Sequence, residues 1–451
     1  MQEQFETRLA SAAPATDADL TWTPAWRIRE LIAARDISPV EVTEHFLQRI
    51  EALEPKLHAF RMADFAGARE QAQRAQAAVL AREPLGALHG VPVVLKEFFA
   101  VKGLAWQDIL TATHTVADRD CLEAERLRAA GAVLVGTTVG GLMAREFGDS
   151  DRQPLNPWNT LRVCGDSSTG SACAQAAGMT PIAIAGDGLG STRLPAAFCG
   201  LVGLHPTRGR VASFDWSQMN SRLLSTTGPL ARDVRDAATV MSVLAGPDGR
   251  DIMCLPDDPP DYLAHLDDGA AGMRLVWTDD FGYAANYASA QSPDVISAVR
   301  QAAFGLRAAG AELEVTTEAF EDPNPACNVI MASDRALAMR SEPPRESVIG
   351  AREARLRIWQ TFRQVLEGRD FILSPTIQVV APTRTEWAQA WRSPSYMATY
   401  SAHTAAANLL GWPAMSVPAG LVNGMPVGLQ ILGRPNSEPR MLQLAQAFLS
   451  L

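Results

Sequence analysis

The stretch "CGDSSTGSACAQAAGMTPIAIAGDGLGSTRLPAAFCGLVG" (residues 164–203) consists mainly of glycine, serine, alanine and other small residues. Small residues let two backbone segments approach closely, and glycine leaves backbone N–H groups free to point at a ligand. Ser167 and Ser191 both lie near glycines here, and the three residues before Ser191 can turn their N–H groups inward. The stretch therefore predicts an oxyanion site beside a nucleophilic serine, unless it is a tightly packed or anion-binding loop.

A second unusual segment, "GVPVVLKEFF" (residues 90–99), places Lys96 in an apolar run that is typical of a buried strand. The chain has only three lysines among its 40 basic residues, the others being Lys56 and Lys102. Lysine, unlike arginine, can lose its proton when it is buried. A neutral lysine can activate a serine hydroxyl near pH 7, so Lys96 is a candidate base. The alternative is a strand-end lysine that pairs with a carboxylate or reaches solvent.

Other hydrolytic arrangements have little support in the sequence. No serine lies in a G-x-S-x-G turn and no H-E-x-x-H pattern is present, which disfavours a nucleophile elbow and a zinc site of that type. We expect His205 and His403 to be packed or capping residues rather than bases. No metal and no other cofactor is predicted.

The composition is that of an ordinary globular protein, with 47% hydrophobic residues and a formal net charge of −10. The negative charge disfavours nucleic acid as a partner. No apolar run reaches the length of a membrane span and the first twenty residues do not form a secretory signal, so we expect a cytoplasmic protein without membrane contact. The six scattered cysteines are expected to be reduced thiols.

Predicted helices and strands alternate along the chain. Ser38, Pro39 and Glu41 form a capping box with proline at the first helical position, and a long helix is predicted over residues 63–82. Residues 273–317 read as a strand–helix–strand unit. Such alternation favours an α/β fold with helices on both faces of one sheet.

Several motifs in register resemble the amidase signature family of serine hydrolases. The family pattern G-G-S-S-G-G-S-A, followed by G-[ST]-D-x-G-G-S-[IV]-R-x-P, is similar to "GDSSTGSA" (165–172) and "GDGLGSTRLP" (186–195). "GVPVVLKEFF" is similar to the family strand G-[IV]-P-x-x-[IV]-K-D, and further similar segments follow in order at 228–246, 370–376 and 408–433. The resemblance covers nearly the whole chain. It implies a single α/β/α domain with a large mixed central β-sheet flanked by helices.

The resemblance implies a Ser–Ser–Lys triad. Ser191 would be the nucleophile, Ser167 the bridging serine, and neutral Lys96 the base at the end of the relay. The peptide bond before Ser167 would be cis.

Two further sets of residues follow from the same resemblance. The oxyanion hole would be formed by the backbone N–H groups of Gly188, Leu189, Gly190 and Ser191. The supporting residues would be Ser168, Asp187 and Arg193.

The sequence also departs from the family pattern. Asp166 replaces a glycine, and either shifts the charge balance of the relay or faces solvent. Glu97 replaces the shorter acid after the lysine. Residues 136–148 are longer and more apolar than the family segment, which makes Leu142 and Met143 candidates for the acyl pocket, or else ordinary core residues.

The implied activity is hydrolysis of the C–N bond of a small-molecule amide through an acyl-enzyme, with aryl amides, anilides and carbamates as candidate substrates. Aromatic residues in loops outside the motifs favour apolar or aryl substrates, although such residues also serve in packing. These aromatic residues are Phe214, Trp216, Phe281, Tyr283, Tyr287, Trp387, Trp391, Tyr396 and Tyr400.

Two other functions stay open. One is the glutaminase-type subunit of a tRNA-dependent amidotransferase, which belongs to the same family and would need partner subunits; the departures at 136–148 and 186–188 count against it. The other is a catalytically silent binding protein on the same fold, which the intact triad residues disfavour.

The resemblance also implies an organisation for the whole chain. We expect one amidase domain over 1–451, with the catalytic motifs in 60–250, a variable pocket region in 251–400 and a return to the core in 401–451. A homodimer is a candidate assembly.

Overall fold

One large mixed sheet organises the part of the chain that the structure describes. The structure is a computed structural model, and it describes residues 20–108, 113–140, 153–213, 223–338, 345–390 and 396–451. The strands in chain order are Phe60–Ala63 (β1), Pro92–Lys96 (β2), Ala105–Gln107 (β3), His114–Val116 (β4), Val133–Thr138 (β5), Leu155–Asn156 (β6), Asn159–Val163 (β7), Ile182–Asp187 (β8), Val202–His205 (β9), Thr226–Ala231 (β10), Arg274–Trp277 (β11), Glu312–Val315 (β12), Phe371–Pro375 (β13), Ala414–Val422 (β14) and Met425–Gly433 (β15).

Eleven of these strands form the central sheet, in the order β1-β5-β2-β8-β10-β9-β14-β15-β13-β11-β12. The β5-β2-β8 and β13-β11-β12 groups are parallel, whereas the strands between them pair antiparallel. β3 pairs with β4 and β6 with β7 in two small separate ribbons. The predicted α/β fold with a large mixed sheet is confirmed.

Helices alternate with the strands and pack on the sheet; α3 packs on β5, α6 on β14 and β15, and α7 on β10. In chain order the α-helices are Ala25–Ala34 (α1), Pro39–Leu57 (α2), Phe65–Ala81 (α3), Leu122–Ala129 (α4), Thr169–Ala176 (α5), Arg193–Cys199 (α6), Val234–Leu244 (α7), Ser292–Phe304 (α8), Asn324–Ala338 (α9), Arg345–Val365 (α10), Arg384–Ala390 (α11), Tyr396–Ser401 (α12), Ala405–Leu410 (α13) and Glu438–Leu449 (α14).

Local sequence explains the best-defined elements. Every residue of β2, β5, β13 and β15 is buried, as expected of strands that are covered on both faces of a sheet. The predicted capping box is present at the start of α2, where the Ser38 hydroxyl accepts the N–H of Glu41 and the Glu41 carboxylate accepts the N–H of Ser38. The predicted helix over 63–82 corresponds to α3.

The fold brings the segment with Lys96 and the serine-rich segment together at the carboxyl ends of two neighbouring strands. β2 and β8 are parallel neighbours, and they end at Lys96 and Asp187. Helix α5 begins just after Ser167, and α6 begins just after Ser191. The carboxyl ends of parallel strands in open α/β sheets commonly hold the ligand site. Among the described residues, no helix combines the length and apolarity needed to cross a bilayer.

Candidate active site

Lys96 ends β2 with its amine enclosed in the protein. The residue is only 2% exposed, and its Nζ lies 2.6 Å from Ser167 Oγ and 3.2 Å from Ser168 Oγ. Ser168 donates its own hydroxyl proton to the carbonyl of Gly186, so it accepts a hydrogen bond from the lysine. This arrangement leaves Ser167 as the hydroxyl that can exchange a proton with Lys96.

Burial also changes the chemistry of this amine. Taking the charged form out of water lowers the pKa of Lys96 to about 7, against the opposing effect of nearby carboxylates, of which Asp166 is the strongest. The Phe98 ring centroid lies 4.4 Å from the amine nitrogen and adds to its enclosure. Lys96 can therefore exchange a proton near neutral pH, which an ordinary lysine cannot do.

The hydroxyl of Ser191 is held by Asp166. Ser191 Oγ donates to Asp166 Oδ2 at 3.1 Å, and the two residues are 4% and 6% exposed. Of the two interpretations of Asp166 that the sequence leaves open, exposure to solvent is wrong. Burial raises the pKa of its carboxyl group, while the Lys96 amine acts in the opposite direction. The Asp166 carboxylate and the buried Lys96 amine therefore influence each other's pKa.

Two details differ from the implied triad. The described residues contain no cis peptide bond, so the predicted cis form before Ser167 is wrong. Trans is the default at this position because the cis form of a non-proline peptide costs about 3 kcal/mol. Among the described residues, no hydrogen bond joins Ser167 to Ser191, since the Ser191 hydroxyl points to Asp166 instead.

The predicted supporting residues Asp187 and Arg193 form a buried ion pair. Arg193 Nε lies 2.9 Å from Asp187 Oδ2 and a second guanidinium nitrogen lies 3.1 Å from Oδ1, with both side chains fully buried. Although burial alone would raise it, the pKa of Asp187 is held well below its usual range, chiefly by the Arg193 guanidinium. Asp187 also accepts the N–H of Gly190 at 2.6 Å, which ties the ion pair to the turn before Ser191.

Three polar residues far along the chain complete this network, and the sequence reasoning did not assign them. Asn408 accepts from Arg193 at 2.6 Å and donates to Asp187 at 2.9 Å, and Gln430 Oε1 accepts from Arg193 at 2.8 Å. Thr404 donates to the carbonyl of Leu189 at 2.7 Å. The feature of the sequence that could have indicated two of them is a polar residue inside an apolar run, as at Asn408 in "NLLGWPA" and Gln430 in "GLQILG".

The predicted oxyanion turn has free donors on either side of Gly190. The N–H of Gly190 is taken by Asp187, so that residue cannot donate to an oxyanion in this arrangement. The N–H groups of Gly188, Leu189 and Ser191 donate no hydrogen bond to any described residue. Gly190 has a φ of +123°, and a Cβ there would lie 2.5 Å from Thr404 Oγ1, so glycine is required.

Glu97 has a structural role next to Lys96. Its fully buried carboxylate accepts from Arg61 at 2.7 Å and from the N–H of Gly140 at 2.5 Å, and His114 Nε2 lies 3.3 Å away. It therefore anchors the chain at the point where it leaves β5. Leu142 and Met143, the candidate pocket residues, lie outside the described residues.

His205, His403 and the loop aromatics with described side chains are packed against other parts of the protein. His205 is buried with Nδ1 2.9 Å from the Thr226 hydroxyl, and burial lowers the pKa of buried His403 to about 3. Phe281 stacks with Tyr283 at 5.9 Å between ring centroids, and Trp387 packs on Tyr400 at 4.8 Å. Tyr287 is partly buried and donates to Asp322. Phe214, Trp216 and Trp391 lie outside the described residues, as does the side chain of Tyr396.

The sequence matches the amidase family over residues 41–343 and 336–442. The A subunit of the glutamyl-tRNA(Gln) amidotransferase of Heliobacterium modesticaldum is 31% identical, over 94% of this chain and 96% of its own length. The protein of the same name from Roseiflexus castenholzii is 33% identical, over 93% of this chain and 94% of its own. The chain belongs to the amidase signature family.

Solved amidase signature structures share the whole fold. The corresponding glutamyl-tRNA(Gln) amidotransferase protein of Thermotoga maritima superposes with a TM-score of 0.78 at 26% identity, over 96% of this chain and 95% of that one. A bacterial aryl acylamidase superposes with a TM-score of 0.81, over 95% of this chain and 96% of that one, but at 24% identity this similarity concerns the fold alone.

The buried Asp187–Arg193 pair leads to a prediction about stability. Arg193→Met leaves the Asp187 charge buried without its main partner, so we expect the free energy of unfolding to fall by about 3 to 5 kcal/mol. Urea unfolding measures this change.

The matched control is Arg27→Met, which removes an exposed arginine that pairs with Glu30 at 3.1 Å. We expect that control to change the free energy of unfolding by at most about 1 kcal/mol. Equal stabilities of the two variants would show that the buried pair does not hold the turn before Ser191.

Proposed function

We propose that this chain hydrolyses the C–N bond of an amide through an acyl-enzyme on Ser191. The observation that carries the proposal is a buried proton-accepting cluster beside a serine hydroxyl. Lys96 contacts Ser167 at 2.6 Å, the adjacent Asp166 contacts Ser191 at 3.1 Å, and all of these groups are buried. A serine hydroxyl needs such a partner, because its own pKa is too high for it to act as a nucleophile unaided.

The reaction follows from these contacts. Ser191 gives its proton to the cluster while its Oγ bonds to the amide carbon, and the carbonyl becomes an oxyanion. The free N–H groups of Gly188, Leu189 and Ser191 are the proposed donors to that oxyanion, each contributing about 3 to 4 kcal/mol to lowering the barrier. The cluster then returns the proton to the leaving amine as the C–N bond breaks. A water molecule cleaves the acyl-enzyme by the same exchange.

The identity of Ser191 as the nucleophile can be tested without knowing the substrate. A fluorophosphonate probe should form a covalent adduct on Ser191, located by mass spectrometry of the digested protein, and Ser191→Ala should form none. We expect this result because the buried cluster activates the Ser191 hydroxyl and no other.

Ser242→Ala is the matched control, since Ser242 is exposed on α7 and outside the site. It should react at the wild-type rate. A wild-type protein that is not labelled would refute the proposed nucleophile and leave a silent binding protein as the better interpretation. An adduct that persists in Ser191→Ala would instead assign the reactive hydroxyl to another residue.

The similarity to these relatives favours glutamine as the amide substrate. The two relatives described above are A subunits of glutamyl-tRNA(Gln) amidotransferases, and they match this chain over nearly their full length. The lean towards aryl substrates rested on loop aromatics, and several of these pack against one another in the described structure. A glutaminase-type amidotransferase subunit is therefore the second candidate function, and it is better supported than an aryl amide or carbamate hydrolase.

This candidate has a consequence for the partners. With a formal net charge of −10, the chain is a poor surface for tRNA by itself. In an amidotransferase, other subunits would have to supply most of the tRNA contact. The similarity to these relatives does not support the prediction of a small-molecule substrate without nucleic acid.

A comparison of substrates separates the candidates. We expect the purified chain to release ammonia from glutamine faster than it cleaves an anilide or a carbamate, measured by coupled ammonia detection and by absorbance. Co-purification of partner subunits from the native host would strengthen the amidotransferase assignment. Faster cleavage of anilide or carbamate, with no ammonia from glutamine, would instead support a free-standing hydrolase.

A further inference from the structure

The proton of Ser191 already points at a carboxylate. Ser191 Oγ donates to Asp166 Oδ2 at 3.1 Å, and among the described residues it makes no hydrogen bond to Ser167. A hydroxyl in the position of Ser167 could receive this proton only by giving up its own at the same time. A carboxylate can accept it in a single step.

The second oxygen of Asp166 strengthens this interpretation. Oδ1 is buried and has no hydrogen-bond partner among the described groups. A buried carboxylate with an unsatisfied oxygen is a stronger proton acceptor than one whose charge is fully hydrogen-bonded. Asp166 therefore retains basicity that the fully paired Asp187 lacks, since Asp187 is held by Arg193.

Charged groups face Asp166 from two strand ends. The Lys96 amine at the end of β2 favours the ionised carboxylate, whereas Asp187 at the end of β8 disfavours it. Burial is the largest effect and raises the pKa of Asp166, and Asp187 acts in the same direction. A carboxyl group whose pKa moves towards neutrality accepts a proton more readily in the transition state.

We propose that Asp166, rather than Ser167, is the group that accepts the proton of the nucleophile Ser191. The inference rests on the proposed acyl-enzyme at Ser191 and adds a catalytic residue to it. Ser167 then acts as a positioning residue that holds the amine of Lys96. Lys96 determines the charge of Asp166, because the amine and the carboxylate share one proton between them.

The proton and electron pairs balance along this route. The Asp166 carboxylate takes the Ser191 proton as the Oγ–carbon bond forms and the carbonyl π pair moves to oxygen. When that pair returns, the C–N bond breaks and the leaving nitrogen takes the proton from Asp166. In deacylation a water molecule gives its proton to Asp166 and bonds to the acyl carbon. The ester bond then breaks, and Ser191 Oγ takes the proton back.

The test measures the rate of fluorophosphonate labelling of Ser191 in variants of the full chain. Asp166→Asn keeps the size of the side chain but removes the base, so labelling should slow by about 100-fold or more. Ser167→Ala should slow it by less than about tenfold, because a positioning residue is being removed and not the acceptor. Asp64→Asn, a conservative change at the N-cap of α3, is the matched control and should label like the wild type.

A second variant separates catalysis from structure. Asp166→Ala opens space for a small carboxylate, so added formate should restore part of the labelling rate, whereas chloride at the same ionic strength should not. A structural role for Asp166 predicts no difference between the two salts.

Each outcome has a definite meaning. A wild-type protein that is not labelled at Ser191 refutes the proposed function itself. Normal labelling of Asp166→Asn refutes only the role of Asp166, and an accompanying rise in KM would assign the carboxylate to substrate binding. A slow Asp166→Asn together with an Asp166→Ala that formate does not rescue assigns a structural role and also overturns the proposal.

Discussion

The enclosure of one lysine amine is the constraint on which the site depends. Lys96 ends a strand that is buried at every position, so its amine cannot reach water and must be held by neighbouring groups. Burial lowers its pKa to about 7, which turns an ordinary cation into a group that can exchange a proton at neutral pH. The carboxyl ends of β2 and β8 place this amine beside the two serine-bearing turns. The proposed proton transfer therefore depends on the sheet, because the strand order determines which charged groups share the buried space.

A buried ion pair between Asp187 and Arg193 fixes the geometry of the turn before Ser191. Asp187 and Arg193 bracket Ser191 in sequence, and their ion pair is joined by Asn408 and Gln430 from the last part of the chain. Breaking such a pair leaves an uncompensated charge, which costs far more than the loss of a surface pair. The turn before Ser191 is thus held by interactions that span more than 200 residues of sequence.

Much of this could be predicted from the sequence, for identifiable reasons. The α/β class followed from alternating patterns, and Lys96 was conspicuous because a lysine in an apolar strand demands an explanation. Asp166 was visible as a departure, but its contact with Ser191, 25 residues away, depends on how two loops meet. The trans peptide before Ser167 was missed because the cis form was taken from the family resemblance and not from these residues. Asn408 and Gln430 were missed because burial and partners at that separation cannot be read from local sequence.

The most direct test of this account is the ionisation of Lys96 itself. With only three lysines in the chain, NMR of protein labelled with ¹³C at lysine Cε should resolve each one, and the exposed Lys56 and Lys102 provide the internal comparison. The signal that is absent from the spectrum of Lys96→Arg is the signal of Lys96. The account predicts that the Lys96 signal titrates with a midpoint near pH 7. A Lys96 that shows no titration until about pH 10, the usual range for lysine, would contradict it.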